Sequence, residues 1–269
     1  MSRWTDIPGW DLPSPENTRR CKSFLKSSFS YNGIENGLRY FQNPSGREGL
    51  PLVIFLHGAD ACGSDNESQI SLHDVATVFA DEAWQSEHPC HIVAPQYKKG
   101  KHWAFPSMLE YVYELTLSYA ELFHADKSRL YVYGYSAGAI GIFSFLKRYQ
   151  IFAAAIPICG ATDDTEMEKL TDTPMWLYHA GDDPMVHPDE FEIVYYKETH
   201  IGSDVIYDKM SKLGHRNIHY TRIPEGKMRR DYHLYPHCSW VLMGEDTEAK
   251  RWLFQQRSSY RADMIQTGD

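Results

Sequence analysis

Long apolar runs are missing from this 269-residue chain. The longest, such as Ile151 to Ile158, fall far short of the roughly 20 residues a membrane helix needs and read instead as core strands, so no membrane partner is expected. A leader pattern is also absent: Met1-Ser2-Arg3-Trp4-Thr5-Asp6 has no apolar run followed by a small-residue cleavage site, and a cytoplasmic location is expected. The chain lacks Cys-x-x-Cys pairs, and its five cysteines (Cys21, Cys62, Cys90, Cys159, Cys238) are scattered and odd in number, which argues against a disulfide framework or a zinc knuckle. Thirteen histidines occur without His-Glu-x-x-His or comparable paired spacing, so no metal and no cofactor is expected. Basic blocks are missing too. With 27 Lys and Arg against 36 Asp and Glu the formal charge is -9, so no nucleic-acid partner is expected and the substrate is expected to be neutral or small.

What is present is enough apolar material, 42% of the residues, for one large core. Residues 1–20 are rich in Pro, Trp and polar groups without periodicity and read as an N-terminal arm with no part in catalysis; 21–257 read as the main domain and 258–269 as a polar tail. Phe24 to Tyr31 and Leu38 to Gln42 flank the turn signal Asn32-Gly33, which predicts an antiparallel hairpin. Beyond it, Pro51 to Leu56, His91 to Ala94, Leu130 to Tyr133, Phe152 to Ile158 and Met175 to Tyr178 are apolar on both faces, the pattern of a buried parallel sheet. Leu72 to Ala80, Met108 to Phe123 and Ala137 to Tyr149 carry helical spacing between them, so the expected architecture is α/β, in three layers with right-handed crossovers. The stretch 188–201 interrupts this rhythm as an insertion before a helix from Gly202-Ser203 to near Gly214.

A serine hydroxyl becomes a useful nucleophile only when a base takes its proton and the backbone presents it sharply. Strand Arg129 to Tyr133, turn Gly134-Tyr135-Ser136-Ala137-Gly138 and helix Ala139 to Lys147 supply that presentation, the nucleophile elbow of an α/β-hydrolase fold. In that fold an acid and then a histidine follow the serine, each on a loop after a later strand. Asp183, just before Pro184 at the exit of Trp176-Leu177-Tyr178, is the first candidate acid, with Asp182 as its rival. After the strand Asn217 to Ile223 come two candidate bases: His237, on the loop leading to the terminal helix Asp246 to Gln256, and His233. His219 sits within the strand and reads as structural, as do His57 and His179 at strand ends. Oxyanion donors are expected from the amide after the nucleophile, Ala137, and from Ala59 or Asp60 in the turn His57-Gly58-Ala59-Asp60.

Further matches run in order through the chain: Pro51 to Gly58, Gly63-Ser64-Asp65-Asn66, Ala94-Pro95-Gln96, Trp103, Asp126 to Tyr131, Phe152 to Gly160, Pro174-Met175-Trp176, His237-Cys238-Ser239-Trp240 and Trp252 to Gln256. From Phe24 to Gln256 the chain resembles α/β-hydrolase esterases of the predicted-peptidase, feruloyl-esterase and polyhydroxybutyrate-depolymerase-like group. The resemblance implies a triad of Ser136, Asp183 and His237 acting on a small-molecule ester, with acetyl or hydroxycinnamoyl esters of carbohydrates as the substrate class. A serine peptidase, a thioesterase and a catalytically silent binding protein on the same fold are the alternatives. Three departures stand out: Asp60-Ala61-Cys62 where such enzymes often carry Gly-Glu-Arg, Ala139 in place of a second glycine, and a longer segment from Glu190 to Ile201. Candidate substrate-binding residues are Tyr135, Asp60, Trp103 and Trp240, with Trp176 and the Tyr195-Tyr196 pair as further aromatic candidates for the cleft wall.

Overall fold

The structure is a computed structural model that describes residues 4–193 and 198–258; Tyr195, Tyr196 and 259–269 of the expected tail lie outside these. Asn32 and Gly33 both take positive φ, 47° and 74°, the backbone of a tight hairpin turn whose twist matches its strands. They join β1 (Leu25–Tyr31) to β2 (Ile34–Phe41) in register, Tyr31 opposite Ile34 and Leu25 opposite Tyr40. The chain then lays down β3 (Leu52–Leu56), β4 (His91–Pro95), β5 (Leu130–Tyr135), β6 (Ala154–Ile158), a short β7 (Ala161–Thr162), β8 (Met175–Ala180), β9 (Glu190–Ile193), β10 (Glu198–Gly202) and β11 (Ile218–Ile223). The helices are α1 (Pro15–Cys21), α2 (Ser68–Ser71), α3 (Glu82–Glu87), α4 (Pro106–Leu122), α5 (Ala137–Leu146), α6 (Ser203–Lys212), α7 (Lys227–Asp231), α8 (Trp240–Glu245) and α9 (Thr247–Gln255).

Among the described residues eight strands form one sheet in the order β1-β2-β4-β3-β5-β6-β8-β11. From β4 to β11 neighbouring strands run parallel, and the hairpin adds an antiparallel edge. This is the α/β-hydrolase fold. Alternation along each strand divides the interior into two cores. Val53, Phe55, Tyr131, Tyr133, Tyr135 and Tyr178 face one layer, which includes α8 and α9; Ile54, Leu56, Leu130, Val132 and Leu177 face the layer of α4, α5 and α6.

The tyrosines of β5 tie the first layer to the sheet. Tyr131 Oη donates to Gln256 O at 2.9 Å, Tyr133 Oη to Val75 O at 3.0 Å, and Tyr135 Oη to Asp60 Oδ1 at 2.7 Å. Buried hydroxyls need such partners, and here each one secures a separate connecting segment. The stretch expected as a helix at 72–80 is instead a tighter 3-10 turn over Asp74–Ala80. Val75, Thr77 and Val78 are β-branched and poor α-helix formers, and the carbonyls of Val75 and Ala76 are taken by Tyr133 Oη. Within 188–201, β9 and β10 pair antiparallel, and β10 also pairs with β7 in a small second sheet. Among the described residues no helix is long and apolar enough to cross a membrane.

Candidate active site

The turn after β5 is set by close packing. A Cβ on Gly138 would lie 1.9 Å from Leu56 O, and one on Gly134 2.3 Å from the same atom, so only glycine lets the elbow press against β3. Between them Ser136 sits at φ 54° and ψ -120°, a conformation costing on the order of 1–3 kcal/mol that persists only where the surroundings impose it. Those surroundings are Ile158 O, which accepts from Ser136 N at 2.9 Å, and the first turn of α5, where Ile140 N donates to Ser136 O at 3.0 Å. The result is a hydroxyl held at the C-terminal end of the sheet, beside the N-terminus of α5.

His237 and Asp183 meet that hydroxyl. His237 Nε2 lies 2.9 Å from Ser136 Oγ, and His237 Nδ1 lies 2.6 Å from Asp183 Oδ2. Asp183 Oδ1 accepts from Met185 N at 2.9 Å and Val186 N at 3.3 Å, and His179 Nε2 stands 3.2 Å from Asp183 Oδ2. Burial alone would raise the Asp183 pKa; the charge on His237 and hydrogen bonds from His179 and His237 override it and hold the carboxyl well below the usual range. With Nδ1 bonded to a carboxylate, Nε2 is the nitrogen left to accept the serine proton.

The rivals fall elsewhere. Asp182 turns away to accept from Gly226 N at 3.0 Å, and His233 is exposed, with φ 56°. His57 braces the oxyanion loop, its Nδ1 2.6 Å from Gly58 O and its Nε2 accepting from Tyr97 N at 3.3 Å. His179 bonds Ser203 Oγ and Val186 O besides facing Asp183, so it braces the acid loop.

Ala137 opens α5 and Ala59 opens a 3-10 turn (Ala59–Ala61), positions where backbone amides have no partner within their own helix and can serve a developing oxyanion. Ala59, Asp60, Tyr135, Ser136, Met185, His237 and Trp240 border a narrow crevice of about 10 Å³. Of the four substrate-binding candidates, Tyr135, Asp60 and Trp240 therefore reach this crevice. Trp103 does not. It is fully buried, donates from its indole to His57 O at 2.9 Å and packs against Gly141, so its bulk supports the loop from beneath. Trp176 also stands apart, stacked on His219 at 4.6 Å and bonded to Thr221.

Several residues at the site stand outside the candidates named from the sequence. Trp4 and Trp10 of the N-terminal arm complete the crevice wall, Trp10 lying 6.1 Å from the His237 ring. Asp11 Oδ2 accepts from Trp240 Nε1 at 2.9 Å and faces His73 Nδ1 at 3.0 Å, while His73 Nε2 faces Asp60 Oδ2 at 2.7 Å. The departure at Asp60 is thus explained: its carboxylate joins Tyr135, His73 and, through His73, the arm. Two tryptophans in a polar, Pro-rich arm are the one cue that could have been read, since such side chains rarely stay uncovered. Cys159, at φ 44° just after β6, offers a sulfur in a group with Asp183 and His237 whose ligand atoms lie within 4.8 Å of one another. By donor type these three could hold a metal ion, but both ring nitrogens of His237 are already engaged, by Asp183 and Ser136.

No protein-family model and no curated protein matches the chain. Among solved structures it is similar to a thermostable esterase, at 31% identity and a TM-score of 0.80 over 89% of this chain; the match spans 64% of the esterase, so less than two thirds of that chain has a counterpart here. An acylaminoacyl peptidase from Pyrococcus horikoshii matches 91% of this chain and 44% of its own at 14% identity and TM-score 0.63. A puromycin-hydrolyzing peptidase from Mycobacterium tuberculosis matches 87% and 40% at 14% and 0.59. The last two resemblances speak for the shared fold alone.

Proposed function

We propose that the protein is a serine hydrolase that cleaves carboxylic esters, with Ser136 as nucleophile, His237 as base and Asp183 as the group that orients His237. The observation that carries this reading is the chain of hydrogen bonds from Asp183 through His237 to a serine in a strained elbow. In the proposed cycle His237 Nε2 takes the Ser136 proton as Oγ attacks the ester carbonyl; the amides of Ala137 and Ala59 receive the oxyanion. The protonated His237 then gives its proton to the departing alcohol, leaving an acyl-enzyme. Water attacks it by the same route, with His237 again taking a proton and Ser136 recovering one.

Asp183, held ionised by its surroundings, keeps Nδ1 protonated and stabilises the imidazolium in both steps. An ester rather than a peptide is favoured by the likeness to a thermostable esterase, which exceeds the likeness to the peptidases in both identity and TM-score. Acetyl and hydroxycinnamoyl esters of carbohydrates remain the substrate class proposed from the sequence resemblance. The test is turnover of p-nitrophenyl acetate by the wild type and by Ser136→Ala. Loss of about 10³-fold or more in kcat with an unchanged unfolding midpoint is expected, since removing any one triad member leaves only the oxyanion donors and binding. A variant as active as the wild type would remove Ser136 from the mechanism.

A further inference from the structure

The crevice over Ser136, at about 10 Å³, has room for roughly one water molecule. Trp4 and Trp10 border that space, so an acyl chain of any length must meet the two indoles. Behind the same two indoles lies a second cavity of about 240 Å³, which reaches outward to Leu12, Pro13, Leu72 and His73. Trp4, Trp10 and Asp60 border both spaces, whereas Ser136, Met185 and His237 border the crevice and not the cavity. The cavity meets the crevice at Asp60, the residue after the oxyanion donor Ala59, so it opens beside the carbonyl that the oxyanion loop holds, where the acyl portion of the ester belongs.

We infer that the 240 Å³ cavity is the acyl subsite, and that the stacked pair Trp4–Trp10 is the partition setting how large an acyl group Ser136 accepts. The inference rests on the ester-hydrolase reading above. The two indoles stack at 5.5 Å, yet they are held very differently. Trp10 is 7% exposed and packs on Trp240 and Tyr235, and the chain around it is pinned by Tyr235 N donating to Gly9 O at 2.6 Å and by Asp11 bonded to Trp240. Trp4 is 38% exposed, in a three-residue 3-10 turn that buries none of its residues. Trp10 is therefore the fixed post and Trp4 the leaf that yields to a substrate. Mixed apolar and polar lining, Leu12, Pro13 and Leu72 beside His73, suits a chain or ring longer than acetyl.

The test compares kcat/KM for p-nitrophenyl acetate, butyrate and octanoate in the wild type, Trp4→Ala and Trp10→Ala. Trp4→Ala is expected to raise the octanoate-to-acetate ratio by about tenfold or more, because removing a wall that excludes a few methylenes is worth that much discrimination. Trp10→Ala is expected to raise it further where thermal unfolding shows the variant folded; Trp4→Ala, taking away an exposed side chain, decides the question if it is not. Turnover with an unchanged ratio in Trp4→Ala overturns the partition while leaving the ester-hydrolase reading intact. A wild type that hydrolyses none of the three esters contradicts that reading and takes the partition with it.

Discussion

His73 is a buried residue with a carboxylate on either side, Asp11 and Asp60. Burial opposes its charge, but the hydrogen bonds and charges of those two groups override this and push the imidazole up to about 9. A group whose pKa is raised on folding adds stability that is complete below the unfolded value of 6.5 and disappears as pH rises through the folded one. Urea unfolding of the wild type should therefore lose up to about 3 kcal/mol relative to His73→Gln between pH 6.5 and pH 9.5. Parallel pH profiles for the two proteins would show that the bridge is neutral. None of this was legible in the sequence, because Asp11, Asp60 and His73 become a unit only through folding: Asp11 also meets Trp240, 229 positions away. Ser136 was legible, since its chemistry demands a local backbone shape whose glycines are visible. In the sequence Asp183 is preferred to Asp182 for its place just before Pro184, and His237 to His233 for its loop before the terminal helix and for the resemblance; the contacts that separate each pair are tertiary.

At the scale of elements, the elbow depends on how closely α5 and β5 approach β3. Leu56 O blocks a Cβ at both Gly134 and Gly138, so Gly138→Ala must push α5 off the sheet. Its unfolding free energy is expected to fall by more than about 3 kcal/mol, or the variant to be recovered only as aggregate, as overpacking against backbone has no flexible side chain to yield. A Gly138→Ala protein with an unchanged denaturation midpoint would contradict the close approach. The strands were readable because a buried parallel strand is a continuous apolar run, and the hairpin because Asn-Gly takes the required turn. Short elements were not. α1 is about two turns long, capped by Ser14 and opened by Pro15, and its place is fixed by Asn17 and Cys21 bonding to carbonyls of α2. The 3-10 turn at Asp74–Ala80 has helical periodicity in its apolar residues, and its tighter winding follows from its β-branched residues together with the Tyr133 hydroxyl beneath it, a contact made only on folding.

Across the whole molecule, one end of the sheet gathers what the proposed reaction needs. The elbow follows β5, the acid loop follows β8, the histidine loop follows β11, and the oxyanion turn follows β3, so four strand exits converge where parallel strands end. The N-terminal arm crosses the same end and supplies two of the site's walls, which joins residues near the start of the chain to the chemistry. The central claim is that Ser136 is an activated nucleophile. Intact-mass and peptide mass spectrometry after treatment with a small fluorophosphonate tests it directly. One phosphonyl adduct per chain is expected, on Ser136, and none in Ser136→Ala. An unmodified wild type, or an adduct on another residue that persists in Ser136→Ala, would contradict it.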